Sequence, residues 1–422
     1  MTMMKSSNTE WLGDIPTEWD VAQIGNYYEL RNEKVSDYDF EPLSVTMKGI
    51  VPQLATAAKS DDHSNRKLVK KGDFVINSRS DRRGSCGISP LDGSVSLINI
   101  VMEPRGEMNP QYYNWLFHTE QFADEFYKWG HGIVDDLWTT RWQEMKKILI
   151  VAPSPDEQQA IADYLNETCS RINEIIAEAK ASIDEYKELK QSVIFETVTK
   201  GLDKNVEMKD SGNLVIGKIP KHWVKARVKN VATRITVGVV VTPANYFDDA
   251  GTVAFLRGIN VKEYVINSEP MMYITEETNK ELSKTIVHTN DLVIVRDGAI
   301  GVTAVVPEEY DGANVVSMII VSLGSEYNHD YLCYVLNSYV GKIQFNLTKI
   351  GSALSHTSVS SVSNIEIPKP SINEQIDIVN YLKEQHKKLD SLITEKESLI
   401  NDLEAYKKSL IYEVVTGKRR VV

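Results

Sequence analysis

Several residue patterns in this 422-residue chain carry groups that do chemistry elsewhere, and each needs a particular spatial arrangement. Pro155-Asp156 followed by Glu185-x-Lys187 has the order of acids and lysine that a metal-dependent nuclease uses. Both pieces fall in a stretch with no Gly or Pro between Asp156 and Lys200, which predicts one helix. At helical rise they stand about 45 Å apart, too far to share a metal. Asn109-Pro110-Gln111-Tyr112 is close to the Asn-Pro-Pro-Tyr loop with which adenine methyltransferases hold an extruded base. The second proline is missing and no Gly-rich cofactor loop follows a strand upstream, so an ordinary helix N-terminus is the better reading. No G-x-x-x-x-G-K-[ST] phosphate loop is present, and the eight histidines are dispersed without His-Glu-x-x-His or a nucleophile elbow. Catalysis has no support in the sequence.

Binding has some. Arg66 to Arg83 holds Arg66, Lys67, Lys70, Lys71, Arg79, Arg82 and Arg83 against Asp73 and Asp81, a surplus of +5. Within it, Asn77-Ser78-Arg79-Ser80-Asp81-Arg82-Arg83-Gly84 follows a predicted strand. Such a loop could offer guanidinium forks to guanine edges while Ser and Asn reach phosphates, or it could be a solvated loop with partly compensated charge. Lys218 to Arg234 carries six basic residues and no acid, which fits phosphate contacts, a partner surface or plain solubility. Lys349 to Ser358 is a loop of small polar residues with similar potential, or a plain linker.

The elements that must position these loops come twice. Gly13-Asp14-Ile15-Pro16-Thr17-Glu18-Trp19 recurs as Gly217-Lys218-Ile219-Pro220-Lys221-His222-Trp223, 204 residues later. Pro153-Ser-Pro-Asp-Glu-Gln recurs as Pro370-Ser-Ile-Asn-Glu-Gln at a shift of 217, and the match runs ungapped for 47 positions with 17 identities. Both shifts are close to half the chain, which marks a tandem duplication. Each half opens with G-x-I-P-x-x-W, passes through a body rich in strand-like segments, and closes through a Pro-Ser step into a long helix. Asp73-Phe-Val-Ile-Asn-Ser and Asp291-Leu-Val-Ile-Val-Arg read as buried strands, and Gly84-Ser-Cys-Gly-Ile faintly echoes Gly298-Ala-Ile-Gly-Val. Most of the remaining body shows no match.

The helices run from Pro155 to about Lys200 and from Ser371 to Gly417. Ile172, Ile175, Ala179, Tyr186, Leu189 and Val193, widened by Ile176 and Ile183, form a stripe on the first. Leu389, Leu392, Leu399, Leu403, Tyr406 and Leu410 do so on the second. A lone helix about 65 Å long cannot bury such a stripe, so the two are expected to pack on each other as a coiled coil.

This arrangement resembles the specificity subunit of Type I restriction–modification enzymes. The resemblance rests on the paired G-x-I-P-x-x-W segments, Gly72-Asp73-Phe74-Val75 with Asn290-Asp291-Leu292-Val293, Glu157-Gln158 with Glu374-Gln375, and the helix ends at Thr199 and Thr416. It covers essentially the whole chain. It implies an α+β fold, a tandem duplication of a strand-rich α/β target-recognition domain plus a long helix. The two helices would pair as an antiparallel coiled-coil spacer with pseudo-twofold symmetry. The implied domains are residues 1–154 and 201–370 for target recognition, with conserved-type spacer helices at 155–200 and 371–422. Each recognition domain would read one half of a bipartite target in double-stranded DNA. The chain itself would be non-catalytic and hold no cofactor. It would dock two methyltransferase subunits and, through them, restriction subunits; S-adenosylmethionine and ATP/Mg would belong to those partners. The expected DNA contacts are Arg79, Ser80, Arg82 and Arg83 in the first body, and Arg257, Asn260, Arg296, Lys349, Ser352 and His356 in the second. A stand-alone DNA-binding regulator and a coiled-coil scaffold that binds no DNA are the alternative readings.

Bulk composition bears on these readings. With 42% apolar and 25% charged residues the chain is globular rather than disordered. Three scattered cysteines give neither a disulfide framework nor a zinc ribbon, and no apolar run approaches a membrane span, so a cytoplasmic protein is expected. The net charge of −12 argues at first against binding a polyanion. Residues 155–200 carry −5 and residues 1–20 carry −3, however, while each body carries only −2. The acidity therefore lies largely away from the proposed reading loops. It implies weak binding by the isolated chain, with partners adding grip on phosphates.

Overall fold

A computed structural model describes residues 3–56, 63–132, 138–240, 242–348 and 356–421. The chain folds into two compact units. One comprises Met1–Lys180 with Glu397–Val422, and the other Ala181–Lys396. Each unit therefore takes a portion of both long helices, Pro155–Lys200 and Ile372–Val415.

Both units are built on the same four-stranded antiparallel sheet. In the first the order is Cys86–Ile88, Phe74–Asn77, Asn99–Pro104, Tyr28–Leu30. In the second it is Thr303–Val305, Leu292–Val295, Met318–Leu323, Ala232–Val237. Phe74, Val75 and Ile76, like Leu292 through Val295, are buried, as an uninterrupted apolar run requires of a strand covered on both faces. The accompanying three-stranded sheets differ. Gly93–Ser96, Arg66–Val69 and Lys34–Val35 form antiparallel ladders, with a single parallel bridge from Ser94 to Pro42, whereas Val253–Leu256 forms an antiparallel ladder with Tyr273–Ile274 and a parallel one with Asn314–Val315. The sequence similarity fades in the same part of each body.

The duplicated motifs have a shared physical purpose. Glu157 accepts the indole N–H of Trp19 at 3.1 Å and the backbone N–H of Ser154 at 3.2 Å, while Ser154 Oγ accepts the Glu157 N–H at 3.3 Å. This is a reciprocal cap on the helix N-terminus, a feature that stabilises by about 1 kcal/mol. Glu374, Trp223 and Ser371 repeat it in the second unit. The neighbouring glutamines are buried. Gln158 donates to the Pro153 carbonyl and accepts the Asn109 N–H; Gln375 donates to the Pro370 carbonyl and accepts the Asn328 N–H. Asn109 and Asn328 in turn cap the helices Pro110–Phe117 and His329–Asn337. Asn109-Pro110 is thus a helix start, as read from sequence, and its Tyr112 hydroxyl donates to the Val415 carbonyl at 2.7 Å. Tyr331 donates likewise to the Val198 carbonyl at 2.9 Å. In each unit, therefore, a body is locked to the end of the helix that belongs to the other repeat.

The helices pair antiparallel within each unit. Lys407 donates to Asn173 at 2.7 Å in the first, and Lys190 bridges Asp390 at 2.7 Å in the second. The expected apolar stripes are only half right. Ile172, Ile176, Ala179, Ile183, Leu389 and Leu410 are buried, but Ile175, Leu189, Leu392, Leu399 and Tyr406 are exposed. The first helix buries Leu165, Cys169, Ile172, Ile176 and Ala179 at alternating spacings of four and three. Residues three apart on a helix lie on neighbouring faces, and the wide apolar stripe exceeds the seam that the pairing covers.

Candidate nucleic-acid interface

The segment that follows the buried strand Phe74–Asn77 is rigidly framed. Gly72 (φ +95°) makes the turn before it, and Asp73 closes that turn by accepting the Lys70 N–H at 2.8 Å. Arg31 adds a fork to Asp73 at 2.6 and 3.1 Å. After the strand, the Asn77 side chain accepts the Arg79 N–H at 3.0 Å, and the Ser78 carbonyl accepts the N–H of the fully buried Thr140 at 3.0 Å. Arg79 forms an antiparallel bridge with Thr139, and the Ser80 N–H reaches the Trp138 carbonyl at 3.1 Å. The chain then makes the short 3-10 turn Ser80–Arg82 and returns as Cys86–Ile88.

The second unit repeats this frame with other residues. Asn290 (φ +72°) stands where Gly72 does, and Asp291 accepts the His288 N–H and an Arg234 N–H, both at 3.0 Å. The Arg296 carbonyl accepts the N–H of the fully buried Thr357 at 3.1 Å, and Asp297 bridges His356 as Arg79 bridges Thr139. Arg79, Ser80, Arg82 and Arg83 therefore share one loop, Arg296 opens the equivalent one, and His356 lies on the segment bridged to it. The pinning threonines, Thr140 and Thr357, escaped sequence reading because they lie about 60 residues downstream of the loops they hold.

The electrostatics favour these loops over the other basic segments. Arg82 and Arg83 are exposed; Arg82 lies 3.7 Å from Asp81, and Arg83 pairs with the exposed Asp124. Exposed pairs of this kind hold about 1 kcal/mol or less, so phosphates can replace them. The Arg296 side chain has no hydrogen-bond or ion-pair partner among the described residues. By contrast, Arg66 is buried on Ser94 and Lys67 donates to the Asn99 carbonyl at 2.6 Å, with burial pushing both groups' pKa values down. In the Lys218 to Arg234 segment, Lys221 pairs with Glu207, Lys225 and Arg227 with Glu366, and Arg234 with Asp291. Much of that surplus charge is neutralised within the unit.

The remaining expected contacts fall differently. Asn260 is fully buried; its Oδ1 accepts the Arg257 N–H at 3.0 Å and its Nδ2 donates to the Asn267 and Pro270 carbonyls, both at 3.1 Å. Its side chain is engaged inside the loop, which these bonds hold in shape. Arg257 is half-buried and donates to the Pro270 carbonyl at 2.9 Å. Lys349 and Ser352 lie outside the described residues. Among the described residues no helix is long and apolar enough to cross a membrane, and no group of three or more His, Cys, Asp or Glu could hold a metal ion.

Comparison with known proteins adds to this geometry. Residues 220–404 match the family model described as the Type I restriction modification DNA specificity domain. The chain is 23% identical over 428 residues to the Type I restriction enzyme MjaVIII specificity subunit of Methanocaldococcus jannaschii, covering 96% of this chain and 94% of that protein. It is 22% identical over 436 residues to the putative MjaX specificity subunit of the same organism, with 97% and 96% covered. Among solved structures, a chain from work on complex assembly and conformational transition of the type I R-M system superposes with TM-score 0.75 at 14% identity, over 96% of this chain and 99% of that one. The HsdS subunit from Thermoanaerobacter tengcongensis superposes with TM-score 0.57 at 16% identity, over 96% and 98%. At these identities the structural likeness is one of fold.

Proposed function

We infer, from this chain's membership of the Type I restriction–modification specificity-subunit family, that it is the non-catalytic subunit that selects the DNA sequence on which its partners act. The observation that carries this reading is the pair of equivalently pinned loops, Arg79–Gly84 and Arg296–Gly301, on two copies of one sheet with different surroundings. Two scaffolds alike in frame and unlike in loop chemistry suit a target made of two unlike half-sites. Arg79, Ser80, Arg82 and Arg83 serve one half-site, and Arg257, Arg296, Lys349, Ser352 and His356 the other, with Asn260 holding its loop in shape. The recognition domains span 1–154 and 201–370, and the helices at 155–200 and 371–422 act as the spacer.

On this reading the chain docks two methyltransferase subunits and, through them, restriction subunits, with S-adenosylmethionine and ATP/Mg held by those partners. The exposed apolar positions support a pair of like partners. Ile175 and Tyr406 stand exposed in the first unit, and Leu189 and Leu392 in the second. At the repeat shift of 217, Ile175 corresponds to Leu392 and Leu189 to Tyr406, so each unit offers one member of each related pair. Two equivalent patches suit two identical partners.

The test is a selection from random duplex DNA by the chain co-purified with its methyltransferase subunits, at moderate salt. The expected result is a bipartite motif with a fixed gap. Enrichment of no motif points to a scaffold, and tight specific binding by the chain alone points to a regulator; either overturns the proposal.

A further inference from the structure

We propose that the hairpin tip Met47–Lys48 is a second DNA-reading element of the first unit, with Met47 meeting a thymine methyl and Lys48 a backbone phosphate. This inference rests on the proposed DNA-reading role of the adjoining arginine loop.

The tip is built to project and hold still. Thr46 pairs with Gly49 in the register of Leu43–Thr46 against Gly49–Pro52, leaving a two-residue loop. The Thr46 hydroxyl closes it, accepting the Lys48 N–H at 3.1 Å and donating to the Gly49 carbonyl at 2.8 Å. Gly49 adopts φ +106°, which a side chain would strain. The hairpin is then clamped to the strand Cys86–Ile88. A Cβ on Gly87 would come within 2.9 Å of Gly49 Cα, so only glycine lets the two backbones approach so closely. A Cβ on Gly84, the last residue of the arginine loop, would sit 3.9 Å from Met47 Cε. The tip and the loop of Arg82 and Arg83 therefore form one continuous surface.

The tip is exposed. Met47 is 72% exposed, and the exposed Lys48 has no ion-pair partner among the described residues. A lone exposed methionine on a flexible loop would deserve no comment. Here it stands on a preorganised turn beside exposed arginines, so binding costs little ordering entropy. Major-groove reading combines charged forks with apolar contacts to the thymine methyl, and this surface offers both. In the second unit a different apolar residue lies close to the equivalent loop: Ile259 is 54% exposed, and a Cβ on the adjoining Gly258 would lie 3.4 Å from Val295, the neighbour of Arg296.

The experiment is a random-duplex selection with the intact complex, comparing the parent with M47A, M47L, K48A and R82A. The expected M47A result is a loss of about fivefold or more in preference at one or two positions of one half-site, the other half-site unchanged. M47L should retain most of that preference. K48A should weaken binding to all sequences alike and lower the salt-dependence slope by about one. Unchanged half-sites, affinity and salt slope in M47A and K48A, while R82A alters binding, would overturn the inference and leave the arginine-loop reading standing. If the parent complex selects no bipartite motif, the broader reading fails and the inference falls with it. Thermal unfolding of each variant, expected at the parent midpoint, shows that the differences are read at the surface.

Discussion

Trp223 donates its indole N–H to Glu374 Oε1 at 3.0 Å, tying the G-x-I-P-x-x-W tryptophan of the second repeat to the first turn of the second long helix. His222 and Ser371 bond to the same carboxylate. Although partial burial works against its ionised form, these bonds from His222, Trp223 and Ser371 hold the carboxyl at about 2, well below its ordinary 4.5. A depressed carboxylate stabilises the fold fully above pH 4.5, and that contribution disappears as pH falls toward 2. E374Q should therefore cost about 1 kcal/mol near neutrality, the scale of a lost helix cap. The gap between parent and E374Q melting temperatures should close between pH 4.5 and 2; a constant gap would refute this origin.

His386 gives a separate acid window. Its ring lies between Tyr264 and Tyr334, with centroids 5.2 and 5.1 Å away. Burial, with Lys190 nearby and against the opposing pull of Asp390, pushes the imidazole down to about 4. The unfolded chain then binds a proton at about 6.5 that the folded chain does not, so stability holds above 6.5 and falls as pH drops toward 4. The slope from this group approaches about 1.4 kcal/mol per pH unit. Denaturant unfolding of H386F across that range should show the slope removed.

Gly417 and Gly201 end the two long helices at φ +74° and +75°. A Cβ on Gly417 would meet Pro16 at 2.5 Å and Trp19 at 2.9 Å, whereas one on Gly201 would lie 3.1 Å from Trp223. Backbone strain alone is about 1–2 kcal/mol at either site. G417A should lower the melting temperature more than G201A, because the Pro16 and Trp19 rings leave its methyl no room.

Arg82 separates two kinds of DNA contact. If it meets a phosphate, R82A weakens all sequences alike and lowers the salt slope by about one. If it meets a base edge, R82A relaxes one position of one half-site by about 1–3 kcal/mol. Binding titrations at several salt concentrations, with matched and mismatched duplexes, check this; no change in either would exclude Arg82 from the interface.

The ruler role of the helices has a register to act on. Asn173 meets Lys407 and Lys190 meets Asp390, so residue numbers across the pair add to the same total. Deleting 180–186 together with 394–400 preserves that register and removes about 10 Å of helix, on the order of three base pairs of DNA. Sequencing of methylated sites should show the gap altered and both half-sites retained; altered half-sites with an unchanged gap would sink the idea.

The amino-acid sequence by itself determined the duplication, the two long helices and the motifs at their starts. These depend on local rules: caps need Ser and Glu three apart, buried strands need apolar runs, and a turn at positive φ needs Gly or Asn. It also placed Arg79, Arg82 and Arg83 on one loop. Which apolar residues face a partner helix, and which stay exposed as Ile175, Leu189 and Tyr406 do, only packing decided, because a wide stripe fits several faces equally. Charge was equally opaque: Arg66 and Arg82 look alike in sequence, yet one is spent on Ser94 and the other faces solvent. The pinning of each loop by Thr140 or Thr357, and the placing of Met47 beside Gly84, join residues dozens of positions apart. Contacts of that range leave no local pattern, and only the tertiary structure brings them together.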